Sequence, residues 1–341
     1  AGIALCRELG IADRLVPTLT PRTAFVLKRG RLRPLAEGSF LGFPLRLSSL
    51  ARTSLFSPLG KLRMACEPLV PPVRDAGDES IASFVRRRFG REATDYLAEP
   101  LLAGIHAGDA ERLSVTALFP RLVDAERTAG SVLRALRGVS PQPSPQGAFV
   151  SFPGGIAELV EALVARLGDA ISTSTRVIDL QRAGSFTLDT SGGSIVADAV
   201  VLAVPAYAAG AILKGIHTRL ASLCADIPYA STATVALGYR RDQIGHAMKG
   251  SGFVVPRVER SPLLAGTWVT SKWPGRAPAD HVLLRGFLGG GRDPNRLDAP
   301  DSELVTDVER SLAAALRISG PPVFSRLYRW TRQSQIGRAH V

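Results

Sequence analysis

Apolar residues recur with helical spacing in the segment 78–97. Ile81, Phe84, Val85 and Phe89 fall at i, i+3, i+4 and i+8, which places them on one face of a helix. The polar residues of this segment fall between these positions. The pattern therefore predicts an amphipathic helix that buries one face.

The residues around this stripe set the expected limits of the helix. Asp78 is the predicted N-cap, with Glu79 adding negative charge in the first turn, and Arg86 to Arg88 lie mostly beside the apolar face. Gly90 interrupts the pattern, and a second helical stretch then runs as far as Pro100, which we expect to perturb or end it.

Other parts of the chain alternate with the period of strands. Residues 23–36 predict two short strands about Arg29 and Gly30, and the run 199–204 predicts a buried strand. The remaining predicted strands lie within 177–180, 185–189, 195–196, 227–242, 250–260, 263–278, 281–294 and 323–330. The remaining predicted helices are at 1–16, at 156–167 after Gly154 and Gly155, and at 301–318, capped by Asp301.

The helical and strand patterns, with 33 Gly and 24 Pro, predict a globular mixed α/β fold. Residues 138–149 are rich in Pro, Ser and Gln, which is typical of an exposed linker.

Composition narrows the class of protein. The 341 residues are 45% hydrophobic and carry a net charge of +12. No nucleic-acid module or block of five like charges is present, so a carboxylate-bearing substrate or an anionic lipid face is the more attractive partner. A solvated, arginine-rich surface explains the charge equally well. Three widely spaced cysteines favour a reducing, intracellular setting. No apolar run is long enough to span a bilayer, so we expect a chain that is soluble or at most peripheral to a membrane.

Metal and nucleophile motifs are not found. His106, His217, His246 and His281 are isolated, and the chain contains no HExxH, CxxC or GxSxG sequence. Redox chemistry by such a chain would need an organic cofactor.

The strings ESIASFVRRRFGRE (79–92) and EPLLAGIHAGDAERLS (99–114) carry a specific resemblance. They resemble the middle of the flavin-dependent protoporphyrinogen oxidases, within the amine-oxidase-like flavoprotein superfamily, and the likeness continues to about residue 333. It implies the central part of a two-domain, FAD-dependent oxidoreductase with an inserted helical domain. The implied parts are 1–36 (remnant of the FAD domain and first substrate-domain strands), 37–128 (helical domain), 129–217 (linker, helix and FAD-domain strands) and 218–333 (substrate-binding domain). The implied reaction removes six electrons from protoporphyrinogen IX in haem biosynthesis, with O2 reoxidising the flavin and forming hydrogen peroxide.

The resemblance also assigns roles to single residues. Val254 in GFVVP and Phe287 in FLGG would lie on opposite sides of the macrocycle, Trp268 would stack on it, and the Gly104 carbonyl would face its central N–H groups. Core packing is an alternative for Val254, Phe287 and Trp268, and turn geometry for Gly104.

Two further roles concern the substrate carboxylates and the flavin. Where the family can place a basic residue against a propionate this chain has Ala24, and Arg22 is a weak substitute. Val177 would contact the FAD adenine through its backbone, and an ordinary strand valine is the alternative. No GxGxxG is present. We therefore expect a fragment that binds FAD poorly and turns over little by itself.

Several alternatives stay open. Coproporphyrinogen III is the alternative substrate, and an inactive fragment or a porphyrin-binding module without flavin is the alternative of another class. An amine oxidase or carotenoid desaturase fits the strings less well. The helical domain allows peripheral contact with the cytoplasmic membrane, and otherwise a cytoplasmic location is expected. Residues 335–341 are interpreted as translated sequencing adapter.

Overall fold

The computed structural model describes residues 2–36, 39–40, 42–44, 46–73, 77–103, 108–136 and 149–335. The chain divides into two compact units. One unit contains residues 1–16 and 151–228, and the other contains residues 17–150 and 229–341. We call them the small unit and the large unit. The domain boundaries expected from the sequence stay predictions.

Helices occur in both units. The α-helices are α1 (Gly2–Glu8), α2 (Leu47–Arg52), α3 (Pro58–Ala65), α4 (Ile81–Phe89), α5 (Arg91–Ala93), α6 (Val115–Leu118), α7 (Pro120–Ala129), α8 (Val132–Leu136), α9 (Ala157–Leu167), α10 (Ala206–Leu213), α11 (Thr218–Ala225), α12 (Val269–Lys272) and α13 (Asp301–Leu316). A π-helix spans Thr94–Ala103. Short 3-10 helices span Ala12–Arg14, Glu67–Leu69, Gly168–Ala170, Arg241–Gln243, Arg257–Glu259 and Arg296–Asp298.

Strands likewise occur in both units. They are β1 (Val16–Pro17), β2 (Ala24–Lys28), β3 (Arg31–Pro34), β4 (Ser39–Phe40), β5 (Phe43–Pro44), β6 (Val150–Ser151), β7 (Val177–Ala183), β8 (Ser185–Thr190), β9 (Gly193–Ala197), β10 (Tyr229–Arg240), β11 (Gly252–Val254), β12 (Ala265–Trp268), β13 (His281–Gly289) and β14 (Phe324–Gln335). The mixed α/β class expected from the sequence is confirmed.

A seven-stranded sheet is the frame of the large unit. Its order is β14-β10-β13-β12-β11-β2-β3, and all neighbours are antiparallel except β11 and β2. The predicted pair of strands about Arg29 and Gly30 is confirmed, because β2 pairs with β3 from Lys28 and Arg31 outward. The strands predicted within 250–294 and 323–330 are also present.

Helix α13 covers one face of this sheet. Leu304, Val308, Leu312 and Leu316 recur every four residues and are fully buried, so they form a stripe that packs on the strands. The predicted N-cap of this helix was wrong: Pro300 occupies that position and Asp301 lies in the first turn. Proline is common where a helix begins, and aspartate is favourable both as a cap and in the first turn. The sequence pattern therefore located the start of this helix only to within one residue.

A second core lies among the helices of the large unit. Ile81, Phe84, Val85 and Phe89 of α4 are all buried in it, as their spacing predicts. The predicted cap at Asp78 was wrong, since the N-cap is Ser80, whose hydroxyl accepts a hydrogen bond from the Ser83 amide (3.1 Å). Serine and aspartate are about equally favourable as N-cap residues, so residue type alone could not decide between Asp78 and Ser80.

One arginine of α4 departs from its expected place beside the stripe. Arg88 is 0% exposed and pairs with Glu67, which is also 0% exposed. Glu67 further accepts hydrogen bonds from the Val132 amide (3.0 Å) and the Leu133 amide (3.2 Å). A buried charge is stable only when it is paired in this way, and the partner lies 21 residues away in sequence.

After Gly90, which ends α4 with φ of +90°, the chain continues through α5 into the π-helix. Pro100 lies inside that π-helix. Proline cannot donate the hydrogen bond of a regular α-helix, so the predicted perturbation at Pro100 is confirmed.

The small unit contains a three-stranded sheet, β7-β8-β9, and helix α9, which follows Gly154 and Gly155 as predicted. The buried strand predicted at 199–204 was wrong. These residues belong to no strand, and Val201 is 90% exposed. A strand forms only with a hydrogen-bonded neighbour, and the described residues offer none there.

Across the described parts of the chain, every helix is too short or too polar to cross a bilayer.

Candidate functional site

The seven-stranded sheet has one face that α13 does not cover. On β10, Ala233, Val235, Leu237 and Tyr239 are buried in the same core cluster as α13, so the alternate positions point to the other side. We call that other side the open face. Its positions are Phe324, Arg326, Tyr328 and Trp330 on β14, Thr232, Thr234 and Ala236 on β10, Leu283, Arg285 and Phe287 on β13, Ala265 and Thr267 on β12, and Val254 on β11.

The strand register brings two of the predicted site residues together. Val254 pairs with Ala265, and Ala265 pairs with Phe287. The three residues form a row across three adjacent strands, so Val254 and Phe287 are about 10 Å apart with only a methyl group between them. Both are half-buried. This row is a shallow apolar floor bounded by a branched side chain and an aromatic ring.

The same row continues onto the outer strands of the sheet. Phe287 pairs with Thr234, and Thr234 pairs with Tyr328. Tyr328 and Trp330 are 41% and 48% exposed, and their rings are stacked with centroids 6.5 Å apart. A flat apolar ligand could lie against these rings.

Sequence reasoning missed Tyr328 and Trp330 as site residues. The available signal was the spacing of two within VFSRLYRW, which puts Tyr328 and Trp330 on one face of a strand. The register of β14 against β10 decides which face of the sheet these two rings occupy. That register cannot be read from the sequence of β14 alone.

A second row on the open face carries charge. Arg326 pairs with Ala236, Ala236 pairs with Arg285, and Arg285 pairs with Thr267. The row then passes through Gly252 to Ala24. Thr267 and Gly252, which are both small, thus lie between Arg285 and Ala24 at the far end of this row.

Charged residues of the 99–114 string connect that segment to the sheet. Glu99 lies 3.3 Å from the Arg292 guanidinium and accepts a hydrogen bond from the Arg257 amide (2.8 Å), while Asp109 lies 3.3 Å from the Arg257 side chain. Arg292 also donates to the Val255 carbonyl (2.7 Å), next to Val254. Burial raises the pKa of Glu99, and the two arginines oppose that shift. A cavity of about 100 Å³ is lined by Glu99, Asp109 and Arg257.

Gly104 lies outside the described residues, between these two anchors. Glu99 and Asp109 flank it in the sequence and both contact residues that follow β11. The predicted role of its carbonyl stays a prediction.

Trp268 is not brought together with Val254 and Phe287. It pairs with Leu284 on the face covered by α13 and is 0% exposed. Its ring centroid lies 5.4 Å from that of Phe25 and 5.0 Å from that of His246. The sheet therefore separates this indole from the open face, and the core-packing alternative describes its surroundings.

Arg22 and Val177 occupy different surroundings. The Arg22 Nε donates to the Thr18 hydroxyl (2.8 Å), which holds the side chain against the segment that precedes β2. Ala24 is the first residue of β2. Val177 begins β7 in the small unit and pairs with Thr190. Its role toward a flavin stays a prediction.

Comparisons with known proteins place these residues in a family. The model of the flavin-containing amine oxidoreductases matches residues 3–339. The coproporphyrinogen III oxidase of Bacillus subtilis (strain 168) is 31% identical over 336 residues, which are 96% of this chain and 71% of that protein. The chloroplastic protoporphyrinogen oxidase of Nicotiana tabacum is 30% identical over 341 residues, 92% of this chain and 61% of that protein.

A solved structure shows the same fold. It comes from Exiguobacterium sp. 255-15, carries a provisional assignment as a protoporphyrinogen oxidase, and superposes with a TM-score of 0.85 at 28% identity. The alignment covers 99% of this chain and 74% of the other. The chain belongs to the family of flavin-containing amine oxidoreductases.

Proposed function

We propose that this chain forms the substrate-binding part of a porphyrinogen oxidase of haem biosynthesis that uses FAD and O2. The observation that carries the proposal is the row of Val254, Ala265 and Phe287 on the open face. A porphyrinogen is a broad apolar ring, and a floor of small residues between bulkier side chains fits such a ligand. The names of the relatives support the same reaction class.

The flavin, when bound, accepts hydride equivalents from the substrate and passes electrons to O2. Among the described residues, Val177 is the one that we expect to contact its adenine. Strand β7 is an edge strand of the three-stranded sheet, so one side of its backbone has no neighbouring strand in the described chain. A free main-chain edge at Val177 is compatible with a nucleotide base.

The residues of the chain itself bind and orient the substrate. Val254 and Phe287 hold the ring by apolar contact, and Tyr328 extends the contact toward β14. Val254 also packs against the helical core of the large unit, as does its row neighbour Val26, so its position on the open face is fixed by that contact. A fixed floor limits the orientations in which the ring can meet the flavin.

Coproporphyrinogen III is the second candidate substrate. Arg285 and Arg326 lie on the open face, two strands apart with Ala236 between them. Protoporphyrinogen IX carries carboxylates on one edge of the macrocycle, whereas coproporphyrinogen III carries them on opposite edges. Extra cations beside the floor favour the substrate with more carboxylates.

The test uses the complete gene product that contains this chain. Purified protein is given either porphyrinogen, and porphyrin fluorescence and oxygen consumption are followed against a protein-free control for autoxidation. We expect about three O2 per porphyrin, since each two-electron step reduces one O2. Phe287→Ala should lower kcat/KM about ten-fold through lost aromatic contact.

Leu69→Ala is the matched control, because Leu69 is 77% exposed at the end of the 3-10 helix Glu67–Leu69 and is not one of the open-face positions. It should leave kcat/KM unchanged. Porphyrin formation at the protein-free rate with both substrates would refute the proposed function.

The location belongs to the same proposal. We place the protein in the cytoplasm, with peripheral contact at the membrane. Support comes from α3, where Leu59 and Leu62 are 78% and 61% exposed beside Lys61. Apolar side chains next to a cation suit an anionic lipid surface.

A further inference from the structure

Arg285 is the open-face residue whose surroundings call for a ligand. It is exposed on β13, and its two neighbours across the strands are Ala236 and Thr267. Both are too short to cover a guanidinium. No carboxylate in the described chain lies within ion-pair distance of Arg285 or Lys272.

The charge of Arg285 reaches one further cation, Lys272. Lys272 ends α12, the helix that directly follows β12. Its ammonium lies 4.9 Å from the Phe149 ring centroid and 5.6 Å from the Trp273 ring centroid. Burial and the nearby Arg285 lower the pKa of Lys272. Like charges held together in this way repel one another, and a bound anion would relieve that repulsion.

The position of Arg285 relative to the apolar floor defines the ligand. Arg285 and Phe287 are two residues apart on one strand and one face, so they are about 7 Å apart. An anionic group held by Arg285 therefore places the body attached to it on the row of Phe287, Ala265 and Val254.

The opposite end of the charged row is Ala24, three strands from Arg285, or about 14 Å. Ala24 stands where the family resemblance predicts a propionate contact, with Arg22 as the substitute. Arg285 is thus at the other end of the floor from the predicted carboxylate position.

We propose that Arg285, with Lys272 beside it, binds a substrate carboxylate at the β13 end of the floor. This inference rests on the proposed function and deepens it. The site selects porphyrinogens that carry carboxylates on opposite edges, as coproporphyrinogen III does. The planar guanidinium pairs with a carboxylate through two parallel hydrogen bonds, which a point charge cannot match.

The test is equilibrium binding of stable porphyrins to the 341-residue chain. The probes are coproporphyrin III, protoporphyrin IX and the uncharged tetramethyl ester of coproporphyrin III, titrated by absorbance and by tryptophan fluorescence. Arg285→Gln should weaken coproporphyrin III binding about ten-fold or more. Binding of protoporphyrin IX and of the ester should change less than about two-fold, since neither places a carboxylate at this end.

Two controls separate recognition from folding. Arg310→Gln removes an arginine that is 76% exposed on α13, the helix on the other side of the sheet, and should leave all three affinities unchanged. Arg285→Lys keeps the positive charge but cannot form the two parallel hydrogen bonds of a guanidinium. Its affinity for coproporphyrin III should therefore lie between those of the unsubstituted chain and Arg285→Gln. Thermal unfolding of Arg285→Gln should match that of the unsubstituted chain.

Equal loss of affinity for all three porphyrins in Arg285→Gln, or no loss for any, would overturn the inference while leaving the proposed function in place. Failure of the unsubstituted chain to bind any porphyrin would overturn both. Retained porphyrin binding that Phe287→Ala weakens and Arg285→Gln does not would overturn the carboxylate site alone.

Discussion

At the scale of single residues, the Arg88 and Glu67 pair is the clearest determinant of stability. Arg88→Ala would leave Glu67 buried without its counter-charge, and we expect a loss of about 3–5 kcal/mol in the free energy of unfolding. Urea denaturation measures it. Arg86→Ala is the matched control, because Arg86 pairs with Glu111 and both are at least half exposed. It should cost less than about 1 kcal/mol. Equal losses in the two variants would contradict this account.

His246 makes stability depend on pH. Burial, then Arg317 and Arg241, lower its pKa from the usual 6.5, and its Nδ1 accepts a hydrogen bond from the Met248 amide (2.9 Å). As pH falls below 6.5, the unfolded chain binds a proton on this residue before the folded chain does, so stability is lost in that window. His246→Gln should therefore lose less stability between pH 7.5 and about pH 5.5 than the unsubstituted chain.

Urea unfolding of both proteins at the two pH values measures this difference. Identical losses would mean that other groups carry the acid sensitivity.

At the scale of elements, the sequence predicts which residues form helices and strands better than where these begin. The stripe of α4 and the alternation of β2 and β3 follow from spacing that is local to each segment. The caps at Ser80 and Pro300 were missed because several residue types suit the same position. The run 199–204 was missed because a strand depends on partners that its own sequence does not contain.

Contact between α13 and the sheet depends on a glycine. A Cβ built at Gly286 would clash with Val308 and approach Leu263 to 2.9 Å. Gly286→Ala should therefore lower the free energy of unfolding by about 1–3 kcal/mol through overpacking. Gly77→Ala is the control, since no atom lies within 4 Å of a Cβ there. A Gly286→Ala protein as stable as the control variant would show that α13 can shift at no cost.

At the scale of the whole molecule, the candidate site depends on register. The sequence predicted Val254 and Phe287, and only the pairing of β11, β12 and β13 places them in one row. The same pairing turns Trp268 to the other face and reveals Arg285. Tyr328 is placed on the open face by the pairing of β14 with β10. A shift of one residue in a strand would reverse every such assignment.

Net charge gives a prediction at this scale. With +12 on the chain, anionic porphyrins should be drawn toward it over long range. The association rate of coproporphyrin III should fall when ionic strength rises from about 0.01 M to 0.15 M, as the screening length shortens from about 30 Å to 8 Å. Stopped-flow fluorescence measures the rate. The tetramethyl ester is the control and should show no such fall, and a parallel fall for the ester would rule out electrostatic attraction.

Strand β14 has a consequence for solubility. It runs for 12 residues at the border of the sheet, so its outer backbone groups could template the addition of a strand from a second molecule. Arg326 and Arg332 are exposed along it. Two such strands brought edge to edge would set rows of positive charge against each other. The arginines of β14 thus act as gatekeepers against self-association, on the same strand that presents aromatic rings to a ligand.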